Sequence, residues 1–219
     1  LREVILTVSQ DSRCTMKIIG LISQTGGAGK STASIALASA LAKRYRVALV
    51  DLDPQGSVGR WGTMATLPGT LEVFRAKKAA EIKALKGFDF VVVDTKGELS
   101  VDALPFLDLA LIPCSPSLFD LWAAEPSVEL IKAHQAVRPA LKSAIFANRV
   151  REGTVLGADV LEEIQGFGLP VLNVHLGVRI SYPTSIATGQ NPVSSGNSDT
   201  RLESLRFAVS VEKLLEAAQ

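Results

Sequence analysis

Residues 23–32 read Ser-Gln-Thr-Gly-Gly-Ala-Gly-Lys-Ser-Thr (SQTGGAGKST) and follow the apolar run MKIIGLI, Met16 to Ile22. They open into TASIALASALAK, Thr32 to Lys43, where apolar residues recur three and four apart. A strand, a glycine turn and a helix in that order decide the fold. A turn leaving a strand and opening a helix aims several backbone N–H groups at one anion, and the helix N-terminus adds its dipole. Gly26, Gly27, Ala28 and Gly29 give the backbone close approach, Lys30 would reach β and γ phosphates, Ser31 would offer its hydroxyl to Mg2+, and Thr32 would lie near an α-phosphate. The ordinary phosphate loop has a glycine five places before the Gly of its GK pair; this chain has Gln24 there.

Working outward, short β-rich runs recur at Lys17 to Ser23, Arg46 to Asp51, Phe88 to Asp94, Leu107 to Pro113, Ser143 to Val150 and Pro170 to His175. Segments able to form helices separate them, at Ser100 to Leu104, Leu121 to Ala136, Val155 to Ile164 and Thr200 to Ala217. This alternation predicts an α/β fold with a largely parallel central β-sheet flanked by helices. Two stretches rich in turn residues, Gly56 to Thr70 and Tyr182 to Asp199, read as surface loops. Residues 16–219 read as a single domain. Met16 reads as the natural start, with residues 1–15 an upstream or artificially added extension.

The next two strands after the glycine turn end in acids, and a parallel sheet brings the carboxyl ends of its strands to one rim. Asp94, in VVVDTKG, is placed to hold Mg2+ directly or through water. Asp53, in DLDPQG, would orient an attacking water. Asp51 is either part of that chemistry or a turn cap.

The chain has 219 residues, 47% of them hydrophobic and 21% charged, enough for a substantial core and too apolar for a disordered tail. Its formal net charge of +1 makes no global polycation, so any nucleic-acid contact requires a local patch. Cys14 and Cys114 form no CxxC or disulfide framework, and His134 and His175 lack close ligand partners, so a transition-metal centre is not expected.

The linked motifs GGAGKST, LVDLDPQGS, FDFVVVDT and LALIPCSPSLFDLWA resemble the ParA/MinD-type deviant Walker A ATPases. The match runs from about Met16 onward and is similar in style to small partition proteins of the ParF-like or VirC1-like branch. The resemblance implies a deviant phosphate-loop NTPase that binds ATP and Mg2+ and closes a homodimer face to face over two nucleotides. It also implies nonspecific DNA binding by that dimer, slow hydrolysis stimulated by a cargo-bound adaptor protein, and a cytoplasmic, nucleoid-associated location. It casts Lys30, Asp53 and Asp94 as catalytic, Ser31 and Asp94 as the metal-binding pair, and Asn148 in FANRV as the adenine contact, although an Asn at a strand end is ordinarily a turn or cap. The family signature carries a lysine where this chain has Thr25, whose hydroxyl can bond phosphate but brings no charge. The usual DTPP is here Asp94-Thr95-Lys96-Gly97. Either Lys96 partly replaces the missing cation, or it is solvated and hydrolysis is weak.

Arg149, Arg151, Arg179, Arg201 and Arg206 are the candidates for DNA phosphates, each otherwise a solvated charge. Phe119 and Trp122 either form an interface near the nucleotide or, as is more usual for such residues, fill the core. The C-terminal helix is short of basic residues and carries Glu212 and Glu216 on its polar side, which argues against a membrane role. Two other functions compete: a nucleotide-dependent assembly scaffold with negligible turnover, and a phosphate-loop biosynthetic kinase or ligase, which would need a second substrate pocket.

Overall fold

The computed structural model describes residues 15–97, 100–151 and 163–217. Its strands are β1 (Lys17–Leu21), β2 (Val47–Asp51), β3 (Leu71–Arg75), β4 (Phe90–Asp94), β5 (Leu109–Cys114), β6 (Lys142–Val150) and β7 (Val171–Gly177). All seven lie parallel in one sheet, ordered β3-β2-β4-β1-β5-β6-β7. Every residue of β2, β4 and β5 is buried, because helices cover both faces. That is why these strands read as continuous apolar runs with no polar alternation.

The helices are α1 (Lys30–Leu41), α2 (Ser57–Met64), α3 (Ser100–Ala103), α4 (Leu118–Val137), α5 (Ser181–Ala187) and α6 (Ser198–Glu216). On one face of the sheet the alanine-rich α1 packs with Val58 and Trp61 of α2 and with Phe207 and Val211 of α6. On the other face lie Leu121, Ala124, Val128 and Ile131 of α4, with Ile82 from the 3-10 turn Ala79–Ala84. The serine before α4, Ser117, accepts from the Asp120 amide, so the helix starts three residues earlier than its apolar periodicity suggested.

Both expected surface loops are largely structured. Within 56–70 lies α2, in which Gly59 and Gly62 turn a bare face to β3, with the left-handed Gly56 standing just before it at φ 68°. A Cβ on Gly62 would stand 2.7 Å from Val73 Cγ1, and one on Gly59 2.6 Å from Arg75 Cδ. The glycines thus serve close helix-to-strand approach. Within 182–199, α5 is followed by a turn in which Asn191 Oδ1 accepts from the amides of Val193 and Ser194, and Asn197 then caps α6. The two segments hold each other: Trp61 Nε1 donates to the Gln190 carbonyl at 2.9 Å and the Thr66 amide to that of Gly189. The strand β3 was absent from the expected set. The helix expected at 155–164 falls, but for its last two residues, outside the described residues, as does the N-terminal stretch 1–14.

Candidate nucleotide site

The phosphate-loop candidate turns on two left-handed glycines, Gly27 at φ 82° and Gly29 at φ 84°, the second standing just before α1. A Cβ on Gly26 or Gly27 would meet nothing within 4 Å, so the loop's bare side faces an open cradle. The loop is braced from behind. Ser127 of α4 accepts from the Gln24 amide at 2.9 Å, and Asn148 Nδ2 at the end of β6 donates to the Ala28 carbonyl at 2.8 Å. Behind Gly29 lies that same Asn148 amide, which a Cβ there would strike.

Lys30 spans the loop and donates to the carbonyls of Ser23 at 3.1 Å and Thr25 at 3.0 Å. Partial burial holds its ammonium below the usual lysine range, against the pull of Asp94 and Asp53. Ser31 Oγ donates to Asp94 Oδ2 at 2.7 Å. The other carboxylate oxygen, Asp94 Oδ1, is buried without a hydrogen-bond partner. Desolvation pushes the Asp94 carboxyl up to about 7; the Ser31 hydrogen bond opposes the shift, and Asp51 and Asp53 add to it.

The unpartnered oxygen and the hydroxyl beside it are hard donors of the kind Mg2+ takes, with one carboxylate and the rest of its shell from phosphate and water. The residues present therefore fit a nucleotide-borne Mg2+. Among the described residues no group of three or more His, Cys, Asp or Glu could hold a metal by itself, which is ordinary for such a site.

Asp51 resolves as a turn residue. Its carboxylate accepts from the Asp53 amide at 2.9 Å and the Gly59 amide at 2.7 Å, tying the loop after β2 to the start of α2. Asp53 is half-buried on the cleft side and accepts from the Gln55 amide. The cleft, of about 390 Å3, is lined by the loop from Gly26 to Thr32, by Asp53, and by two cations, Lys96 and Arg149. Lys96 reaches it because Gly97 lies against the Gln24 backbone, where no side chain would fit. Thr25 instead turns to Ser23, their hydroxyls 3.1 Å apart.

Arg149 was read as a DNA contact, but it stands in the cleft with a left-handed backbone, φ 57°, which is uncommon for a side-chain-bearing residue. Sequence spacing carries no signal for that conformation. Arg179 is committed elsewhere, at 2.8 Å from Glu203 and 3.6 Å from Asp199. Arg201 and Arg206 are exposed on α6, and Arg151 is exposed after β6. Phe119 and Trp122 are not core: they are 78% and 63% exposed and meet edge to face, because the buried stripe of α4 falls on Leu121, Ala124, Val128 and Ile131. Glu212 is likewise not a free polar-face acid but pairs with Arg44 and accepts from the Tyr45 hydroxyl. Among the described residues no helix is long and apolar enough to cross a membrane.

The profile of the CobQ/CobB/MinD/ParA nucleotide binding domain matches residues 19–193. Maintenance of carboxysome distribution protein A of Halothiobacillus neapolitanus is 31% identical over 174 residues, covering 75% of this chain and 81% of the relative. Protein ParA of Rhizobium radiobacter is 28% identical over 224 residues, covering 93% and 99%. A plasmid partition protein of Borrelia burgdorferi, solved with AMPPNP, superposes with a TM-score of 0.73 at 18% identity, over 91% of this chain and 99% of that one.

Proposed function

The chain belongs to the CobQ/CobB/MinD/ParA nucleotide-binding family, and on that premise we propose that it is an ATP-dependent partition or cargo-positioning ATPase. ATP and Mg2+ close a homodimer over two nucleotides; the dimer holds DNA nonspecifically, and slow hydrolysis, stimulated by a cargo-bound adaptor, releases it. The carboxysome-distribution and ParA relatives support the positioning role. Bound DNA gives the chain a nucleoid-associated location in the cytoplasm.

The observation that carries the reading is the convergence of Lys30, Ser31 and Asp53 on one cleft at the carboxyl rim of the sheet, with the buried Asp94 directly behind Ser31. In this assignment the amides of Gly26 to Gly29 and the Lys30 ammonium hold the β and γ phosphates, and Thr32 stands by the α-phosphate. Ser31 and Asp94 hold Mg2+, which when bound neutralises charge developing on the phosphate oxygens. Asp53 orients the attacking water and accepts its proton. Asn148, which braces the loop from behind through the Ala28 carbonyl, is assigned the adenine contact. Thr25, bonded to Ser23, leaves the charge usually supplied at that position to Lys96 and Arg149, and turnover without the adaptor is slow.

Cosedimentation with duplex DNA in ATP, ADP or no nucleotide, repeated at rising salt, tests the reading. ATP-selective binding that fades with salt is expected; binding indifferent to nucleotide would sink it.

A further inference from the structure

Between β3 and β4 the chain reads RAKKAAEIKALK, Arg75 to Lys86, with five cations against one acid in a protein whose formal net charge is +1. The 3-10 turn Ala79–Ala84 buries Ala79 and Ile82 against the sheet and leaves Lys77, Lys78, Lys83 and Lys86 outside. The one acid is used internally: Glu81 Oε1 accepts from the backbone amides of Lys77 at 3.2 Å and Lys78 at 3.0 Å. Lys83 lies 4.9 Å over the Phe106 ring. Asp102 shares a shallow cavity with Lys77 and Lys78. Even so, among the described residues none of the four lysines lies within 4.0 Å of a carboxylate oxygen. Arg44, Arg46, Lys132 and Arg179, by contrast, each have an acid partner.

We propose that this lysine face is a binding surface for duplex DNA phosphates, a role for which the sequence pattern had favoured Arg149, Arg151, Arg179, Arg201 and Arg206. Of those arginines, Arg149 lies in the cleft and Arg179 pairs with Glu203. A turn rising about 2 Å per residue spreads Lys78 to Lys83 over roughly 10 Å. A duplex presents one charge per about 1.7 Å of axis, so several phosphates face that length. A lipid surface fits less well, because the segment exposes no large apolar side chain to insert. The basic run also starts close to a segment that lines the nucleotide cleft. Arg75 lies against Gly56 and Gly59, and the neighbouring Gln55 and Ser57 line the cleft together with Asp53.

The proposal rests on the DNA-binding function proposed above, and the experiment separates the two. Anisotropy of a random-sequence duplex is titrated with the full chain in Mg2+ and ATP from 50 to 200 mM KCl. The variants are Lys77→Gln/Lys78→Gln/Lys83→Gln and, on α6, Arg201→Gln/Arg206→Gln, each checked for unchanged ATP binding and melting temperature. Three lost phosphate contacts lower the salt slope by about 2.7 and the affinity at 0.1 M salt by on the order of 100-fold. That is the expected result for the lysine triple, with the arginine pair close to wild type. Wild-type affinity and slope in the lysine triple overturn the lysine surface while leaving the functional reading intact. No DNA binding by the wild-type chain overturns both. Binding of wild type to phosphatidylserine vesicles but not to duplex overturns the DNA assignment in favour of a membrane.

Discussion

Asp94→Asn should gain stability over the wild type as the pH rises, and at the same time destroy the protein's response to nucleotide. The wild-type carboxyl is 1% exposed, leaves Oδ1 unpartnered, and is pushed up to about 7 from an ordinary 3.8. Between pH 5 and 7 the folded chain keeps the Asp94 proton and the unfolded chain has already lost it. More protons bound in the folded state means that stability falls as pH rises through this window and levels off above 7. Two pH units at 1.36 kcal/mol each give about 3 kcal/mol. Asparagine does not titrate and accepts the Ser31 hydrogen bond through its carbonyl. Whatever its packing costs, Asp94→Asn therefore gains about 3 kcal/mol relative to wild type on going from pH 5 to pH 8. For a domain of this size that is roughly 5–10 °C in melting temperature. Thermal unfolding at both pH values, with and without Mg2+ and ATP, reads the effect. Nucleotide should stabilise wild type at pH 8 and leave the variant nearly unmoved. An identical shift at pH 5 and pH 8 refutes the buried, proton-holding carboxyl. Full nucleotide stabilisation of the variant refutes its place in the metal site.

Three further substitutions test the remaining parts. Asp53→Ala should keep ATP binding and ATP-dependent dimerisation, followed by light scattering, while phosphate release falls at least about 100-fold, the scale of a lost proton acceptor. Lys96→Ala and Arg149→Ala separate the two rim cations. The first should lower turnover with nucleotide affinity retained, the second should weaken affinity for a fluorescent ATP analogue, and equal effects on both readouts would reject the division. Gly62→Ala places a methyl 2.7 Å from Val73 Cγ1. It should cost about 1–3 kcal/mol by urea unfolding, as overpacking of a tight contact does; an unchanged midpoint would show that α2 can move away from β3.

The sheet's strands and the acid-bearing rim were legible because burial on both faces writes itself as uninterrupted Val, Ile and Leu, and because parallel strands bring their carboxyl ends together. The misread segments have equally physical causes. Glycine-rich 56–70 looked like a loop, since composition does not say that Gly59 and Gly62 share one helix face pressed on a strand. β3 is an edge strand carrying charges at Glu72 and Arg75, so it lacks the uninterrupted apolar run that marks the equally short β2 and β4. The braces of the phosphate loop, Ser127 to Gln24 and Asn148 to Ala28, join residues 103 and 120 positions apart, a relation no local pattern records. Exposed aromatics defeat sequence reasoning for the opposite reason: Phe119 and Trp122 have the chemistry of core residues and differ from Leu121 only by their angle around α4.

The missing loop lysine changes where the site draws its charge. With Thr25 turned to Ser23, the cations beside the cleft are Lys30, Lys96 and Arg149, each on a different segment: the start of α1, the turn after β4 and the end of β6. The latter two sit where the backbone is unusual, Lys96 next to a glycine pressed on Gln24 and Arg149 at φ 57°. A non-glycine residue held left-handed costs on the order of 1 kcal/mol or more, which the surrounding structure must offset. Relaxing Arg149 would swing its guanidinium and shift Asn148, whose Oδ1 accepts the Arg149 amide while its Nδ2 holds Ala28. The strain thus keeps a cation at the cleft and the loop's carbonyl in place through one pair of adjacent residues. If the chain acts as proposed, rim cations on its own segments would let dimerisation and phosphate chemistry be perturbed separately, so that Lys96→Ala should lower turnover while ATP-dependent light scattering stays at the wild-type level.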